Sequence, residues 1–263
     1  MLNLAIKAAT TAASILRENF GKISPNDIRE KSRNDFLTFV DEKTEHKIIE
    51  IIRTEFPAHA VLAEESGRYP QKNDYEWIID PLDGTKNYIA GIPIFAISIA
   101  LRYKMKIQVG VIYDPMKEEL FFAERSKGAF LNRKRIQVSD NDRLENCLLA
   151  TGFPFKNKQF LPIYMNCFQD LFRHCSGMRR MGAAAIDLAY LAAGRFDGFW
   201  EIGLSPWDVA AGALIIEEAG GSISDFWGKA SYLNNAYTAA SNGKIHNGLL
   251  KILQKHFKEY TKI

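Results

Sequence analysis

The segment WIIDPLDGTKNYIAG, residues 77–91, carries two aspartates three apart, Asp80 and Asp83, at the end of an apolar run and directly before Gly84 and Thr85. Two carboxylates that close raise each other's pKa unless a cation compensates. Hard divalent ions such as Mg²⁺ take oxygen ligands of this kind, usually with waters and a phosphate completing the set. Gly84 and Thr85 then offer backbone amides at the start of a short helix, TKNYIAG, where an anion is favoured. Plain structure accounts for the same residues differently: Trp77, Ile78 and Ile79 form a core strand, and Asp-Pro and Asp-Gly form a turn. Spacing alone leaves the two readings level.

Further acidic residues stand in comparable places. AEES puts Glu64 and Glu65 after an apolar strand, and WDVAAG puts Asp208 beside Trp207 at the start of a helix. Singly, each has a bland explanation: a solvated Glu-Glu pair, and an aspartate favoured in a first helical turn. Asp41 could likewise cap a helix beginning at Glu42. The five histidines lie outside these segments, and no Ser-His or Cys-His nucleophile pairing is suggested.

The elements that must position these residues change character along the chain. Leu4, Ile6, Ala8, Ala12, Ile15 and Leu16 mark one face of an opening helix ended by Gly21, and a second helix is expected from Glu42 to about Phe56, stopped by Pro57. Short strand-like runs follow, AVLAE, EWIID, IFAISIALRY, KIQVGVIYDP, ELFFAE and GAFLN, and QVGVIYDPMKEELFFAERSKGAFLNRKRIQV in particular reads as an antiparallel meander in which Asp114 is a hairpin turn residue. Beyond about Asp142 strands and helices alternate, as in a layered α/β unit. These patterns predict an α+β half over 1–142 and an α/β half over 143–263, with a soft boundary near 142–146.

Lys and Arg total 34 against 31 Asp and Glu, and a net charge of +3 spread along the chain gives no argument for a nucleic-acid partner. The basic tail KILQKHFKEYTKI reads as the polar face of a last helix. Cys147, Cys167 and Cys175 are odd in number and lack metal-ligand spacing, so no disulfide framework is expected and a cytoplasmic location is. No segment approaches eighteen uncharged apolar residues, so no membrane span is expected.

AEES, WIIDPLDGTKNYIAGIPIFAISIAL and WEIGLSPWDVAAGALIIEEAGG, in this order, resemble the signature of the inositol monophosphatase family of Mg²⁺-dependent, lithium-sensitive phosphatases, over nearly the whole chain. The resemblance implies a first metal held by Glu64, Asp80 and the carbonyl of Leu82, a second held by Asp80, Asp83 and Asp208, and often a third, weaker ion through Glu64. Glu65 is implied as support. KSRNDFLTFVDEKTE resembles another family segment, with Leu37 in the usual valine place. There Asp41 would bond Thr85, whose hydroxyl, with Glu64, orients the attacking water; Lys31 is at most a contributor. The amides of Gly84 and Thr85 would hold phosphate oxygens.

RRMGAAAIDLAYLAAG matches the family's polyol-binding region, except that Ala183 stands where many relatives carry a hydroxyl. Backbone contacts from Gly182, Ala183 and Ala184 would survive, and Glu201 would accept hydrogen bonds from ring hydroxyls. Asp187 reads as structural, and Arg179 and Arg180 as interface or core-edge residues. The implied fold is a five-layered αβαβα sandwich, usually homodimeric. The implied reaction is attack of water on a phosphate monoester without a phosphoenzyme. Myo-inositol 1-phosphate leads as substrate; relatives with the same metal core take fructose 1,6-bisphosphate, NADP or 3'-phosphoadenosine 5'-phosphate. Some bacterial relatives act instead as partners of the transcription machinery.

Overall fold

In a computed structural model, which describes residues 1–32, 35–71, 73–155 and 157–260, the apolar face of the first segment closes as helix α1 (Leu2–Asn19), burying Ala5, Ala8, Ala9, Ala12, Ala13 and Leu16. A strand pair that the sequence pattern did not announce follows, β1 (Ile28–Ser32) and β2 (Asp35–Thr38), and leads into α2 (Phe39–Glu55). The helix starts three residues before Glu42 because Thr38 caps it: the Thr38 hydroxyl accepts from the Val40 amide. Asp41 is therefore not the cap but the third helical residue, closing a capping box back onto Thr38. Arg33 and Asn34 of the KSRNDFLTF segment, and the last three residues of the basic tail, lie outside the described residues.

The meander then runs through β3 (Ala60–Ala63), β4 (Gly67–Tyr69), β5 (Tyr75–Asp83), the short helix α3 (Thr85–Ile89), β6 (Ala96–Tyr103), β7 (Lys106–Asp114), β8 (Glu119–Glu124), β9 (Ala129–Leu131) and β10 (Lys134–Ile136). These strands form one eight-stranded sheet, order β10-β9-β8-β7-β6-β5-β3-β4. The rest of the chain supplies β11 (Leu148–Thr151), α4 (Leu161–His174), β12 (Gly177–Arg179), α5 (Ala184–Ala192), β13 (Gly198–Ile202), α6 (Pro206–Glu218), β14 (Ser222–Ser224), α7 (Tyr232–Asn235), β15 (Tyr237–Ser241) and α8 (His246–Phe257). Its sheet has five strands, order β12-β11-β13-β15-β14.

Alternation along the strands sorts side chains into separate cores, as the two-residue period requires. Trp77, Ile79, Ile97, Ile99 and Val111 pack under α1 and α2. Ile78, Ala96, Ala100, Ile112 and Ala123 face the other way, against α5 and α6. Leu149, Trp200 and Ala239 of the five-stranded sheet meet Tyr164, Leu171, Leu249 and Leu253 of α4 and α8. The layers are thus helices, sheet, helices, sheet, helices: an αβαβα sandwich.

Helix α6 lies at the centre, and small residues bring it there. A Cβ on Gly110 of β7 would stand 2.6 Å from the carbonyl oxygen of Ala211, and one on Gly212 would stand 2.6 Å from Leu188 of α5. Both glycines are needed for space, and the resulting seat fixes where α6 begins. Ser98 of β6 adds a hydrogen bond of 3.0 Å to the carbonyl of Trp207 in its first turn. Gly110→Ala should cost roughly 1–3 kcal/mol, as overpacking against backbone does, and about 2–4 °C of melting temperature per kcal/mol. Thermal unfolding of the variant at the wild-type temperature would show that α6 is not wedged in this way.

Candidate active site

The carboxylates that the sequence singles out arrive from different layers. Strand β5 runs on through Pro81 instead of turning at Asp80. Asp80 pairs with Ser98 and Asp83 with Ala96, three steps along β5 against two along β6. The extra residue is a bulge, and a proline is tolerated at such a break. The turn expected at Asp-Pro is thus a kinked strand end that delivers Asp80, Leu82 and Asp83 together. Strand β3 lies parallel to β5 with Ala63 opposite Ile79, and the Glu64 amide donates to the Ile79 carbonyl at 3.1 Å. That register sets Glu64 beside Asp80. Asp208 comes from the first turn of α6, whose position the two glycines fix.

One carboxylate oxygen from each of Asp80, Asp83 and Asp208 lies within 4.8 Å of the others. A main-chain amide holds each of them: Leu82 N–H donates to Asp80 Oδ1 at 2.9 Å, Ala185 N–H to Asp83 Oδ2 at 2.6 Å, and Ser205 N–H to Asp208 Oδ2 at 2.7 Å. Asp41 is held the same way, its Oδ2 accepting from the Thr38 amide at 2.8 Å and hydroxyl at 2.6 Å. Its Oδ1 meets the Thr85 hydroxyl at 3.1 Å, and that hydroxyl is also 3.0 Å from the Leu82 carbonyl. A carboxylate has about four acceptor positions, so one anchoring amide fixes orientation without exhausting the group.

These groups repel. Burial, then Glu64, Asp83 and Asp208, push Asp80 well above the usual carboxylate range. Burial and Asp208 push Asp83 up likewise, against the opposing pull of the Ala185 amide. Burial raises Asp41 to about 6 despite its bonds to Thr38. Glu65 is raised to about 7 by burial and by Glu64, with Lys31 acting against the shift. Lys31 Nζ stands 2.8 Å from Glu65 and 3.3 Å from Glu64. An all-oxygen donor set whose members raise one another's pKa is the chemistry that a hard divalent cation relieves.

An open cleft beside these groups is lined by Glu64, Asp80, Leu82, Asp83, Gly84, Thr85, Gly182, Ala183, Ala184, Glu201 and Asp208, so every residue singled out for metal or substrate reaches it. Of the three catalytic candidates, Asp41 stands behind Thr85 and touches the cleft only through it. Gly84 has φ +96, and a Cβ on it would lie 3.2 Å from that of Ala183, so the segments before α3 and α5 approach closely. Glu201 fills the space that Gly152 leaves: a Cβ there would fall 1.9 Å from Glu201 Oε1. Burial raises the Glu201 carboxyl to about 8, against the pull of Arg180.

Two readings of the sequence change. Asp187, taken as structural, lines the cleft, buried and with Oδ1 lacking any hydrogen-bond partner. Arg180 is neither core nor core edge: it is exposed at the cleft, its guanidinium 4.9 Å from the Phe155 ring, on which Lys86 also stacks at 4.6 Å. Arg179 is exposed and donates to the Met178 carbonyl, whereas Asp114 accepts the amides of Met116 and Lys117 and is a turn residue. Two supports escaped the sequence altogether. Glu45, buried on α2, accepts the amides of Glu65 and Ser66 and so shapes the turn after Glu64. Asn87 of α3 donates to the carbonyls of Ile94 and Met181, tying the phosphate-side segment to the one before Gly182. Glu45 follows Asp41 by one helical turn, a spacing that could have revealed it.

Known proteins share this arrangement of chain. The Escherichia coli protein described as Nus factor SuhB is 45% identical over 263 residues, covering 100% of this chain and 98% of that one. The crystal structure of the extragenic suppressor protein suhB from Bartonella henselae superposes with a TM-score of 0.93 at 40% identity, over 96% of this chain and 98% of that one. An inositol monophosphatase structure from Anabaena does so with a TM-score of 0.85 at 41% identity, over 97% and 95%. The model of the inositol monophosphatase family matches residues 1–258, and the chain belongs to that family.

Proposed function

We propose that this protein is a Mg²⁺-dependent phosphate monoester hydrolase, with myo-inositol 1-phosphate the leading substrate. The observation that carries the reading is the convergence of Asp80, Asp83 and Asp208, each set by a main-chain amide, beside the Thr85–Asp41 pair. The donor set fits two to three Mg²⁺ ions, with Glu64, Asp80, the Leu82 carbonyl, Asp83 and Asp208 as the residues that would hold them. When bound, the ions offset phosphoryl charge and make water a better nucleophile.

The chain's own groups do the rest. With Asp41 Oδ2 committed to Thr38, Oδ1 remains to take the single Thr85 proton, which turns the Thr85 lone pairs to accept from a water. Glu64 accepts the proton that this water gives up as it attacks phosphorus. The amides of Gly84 and Thr85 hold phosphate oxygens, in the anion-binding manner of a helix start. The backbone of Gly182, Ala183 and Ala184 and the carboxyl of Glu201 receive the polyol; the methyl of Ala183 contributes no hydrogen bond. Fructose 1,6-bisphosphate, NADP and 3'-phosphoadenosine 5'-phosphate are the competing substrates, and phosphate release across the four decides among them.

A second reading is favoured by the description of the 45% identical relative as a Nus factor: a partner of the transcription machinery, a role that requires no turnover. A catalytically dead variant that still supports growth would favour it.

Chelation should abolish turnover, and Asp83→Asn should remain folded while losing nearly all phosphate release. Thr85→Ala should keep its Mg²⁺-induced rise in melting temperature yet lose about 10²–10⁴-fold in rate, the usual worth of general acid-base positioning. Near wild-type rates in both variants would remove this site from the chemistry.

Stability in chelator should depend on pH with a definite sign. The folded carboxyls of Asp41, Glu65 and Glu201 titrate near about 6, 7 and 8, above their unfolded values. Their contribution is therefore fully present below the unfolded values of 3.8 to 4.5 and is lost as pH rises from there through the folded values. Melting temperature without metal should therefore fall from about pH 4 to about pH 8, most steeply below about pH 6 where all three carboxyls contribute, and Mg²⁺ should offset the fall. A chelated protein that grows more stable over this range would contradict the account.

A further inference from the structure

We infer that Asp187 is a specificity-determining residue that, together with Glu201, accepts hydrogen bonds from hydroxyls of the substrate's leaving group, selecting phosphate monoesters of cyclic polyols or sugars. The inference rests on the phosphatase reading above and adds one residue, Asp187, to the groups that receive the polyol.

Helix α5 is apolar all round: its nine residues are buried and Asp187 is the one charged side chain among them. Burying a carboxyl is costly unless something donates to it. Nothing described does: Asp187 is 1% exposed, and its Oδ1 has no hydrogen-bond partner. Yet the side chain lines the cleft, as does Glu201, which occupies the room left by Gly152. Burial and Glu201 hold the Asp187 carboxyl well above the usual range, but ionised or neutral it keeps at least one acceptor oxygen, which calls for a donor or a cation.

A resident cation fits poorly. Among the described residues the only group of three or more possible ligands with atoms within 4.8 Å of one another is Asp80, Asp83 and Asp208, which excludes both Asp187 and Glu201. Two carboxylates alone make a thin cage for a hard cation that seeks six or more oxygens. Arg180 faces both groups, but from the exposed mouth of the cleft. Neutral hydroxyl donors remain, and two acceptors in one cleft suit two hydroxyls carried by one ring. A site built to bond a hydroxyl discriminates strongly against an analogue without it, because its buried acceptors are then left unpaired.

The test compares myo-inositol 1-phosphate with phenyl phosphate, which has no leaving-group hydroxyls, in wild type, Asp187→Asn and Asp187→Leu. The readouts are the ratio of kcat/KM values and, with Ca²⁺ replacing Mg²⁺ to suppress turnover, the ratio of Kd values by calorimetry. Leucine suits an otherwise apolar helix and removes the acceptor. Asparagine keeps one acceptor and the shape. Selectivity for the inositol ester should fall about tenfold or more in Asp187→Leu, the scale on which a buried polar group gains or loses its partner, and by less in Asp187→Asn. A ratio within twofold of wild type in both variants overturns the inference. A purely structural role would lower activity on both esters alike and leave the ratio unmoved. A wild-type protein that hydrolyses neither ester contradicts the phosphatase reading; the calorimetric ratio then decides the role of Asp187, and equal wild-type affinities for the two esters overturn it.

Discussion

Aspartates of like charge are brought together in this molecule by main-chain amides. Each of Asp41, Asp80, Asp83 and Asp208 accepts from a backbone N–H between 2.6 and 2.9 Å away. Side chains left to their own rotamers would swing apart to relieve repulsion. An amide belongs to the fold and does not move without it, so the repulsion is borne by the whole packed structure. Two of the anchors, Thr38 with Asp41 and Ser205 with Asp208, are capping boxes that also serve their helices. A third, from Ala185 to Asp83, joins the first turn of α5 to the end of β5 and so couples the middle helical layer to the eight-stranded sheet.

The packing around α6 follows from the same requirement. Asp208 can reach Asp80 and Asp83 only if its helix lies almost against β7, and Gly110 and Gly212 remove the atoms that would prevent it. Alanines at 96, 100 and 123 keep that face of the sheet shallow. Large residues are spent on the opposite face, where Trp77 and several isoleucines fill the space under α1 and α2. Ile78, Ile112 and Phe121 still give the α6 side its bulk, and the alanines and Gly110 give it the close approach.

Much of this was legible because the chemistry is local. Asp80, Leu82, Asp83, Gly84 and Thr85 are nearly contiguous, and although their spacing alone fits a turn as well as a metal site, AEES and WDVAAG in the same chain and the family resemblance they carry tip the balance. Helix α1 was legible as an element, but of the face expected for it only Ala8, Ala12 and Leu16 are buried, with Ala5, Ala9 and Ala13 taking the places expected of Leu4, Ile6 and Ile15. Other features depend on distance in the chain. The start of α2 was missed because Thr38 competes with Asp41 as the cap, and both look alike in sequence. The β1–β2 pair contains Lys31, Arg29 and Glu30, with no apolar alternation to announce it. Asn87 works through backbone groups of remote segments, which no local pattern records, whereas Glu45 is hinted at only by its place one helical turn after Asp41. Asp187 was readable in principle: a single acid inside AAIDLAYLA is a buried polar group demanding an explanation.

The proposed chemistry rests on the anchored carboxylates of Asp80, Asp83 and Asp208 sharing one cation. Crystals grown with Mn²⁺ in place of Mg²⁺ offer the most direct measurement, through an anomalous difference map. A peak is expected within coordination distance of all three side chains, with the amide bonds from Leu82, Ala185 and Ser205 still in place. A map with no peak among these residues, or with the ion bound elsewhere and the three amide bonds broken, would contradict the shared site.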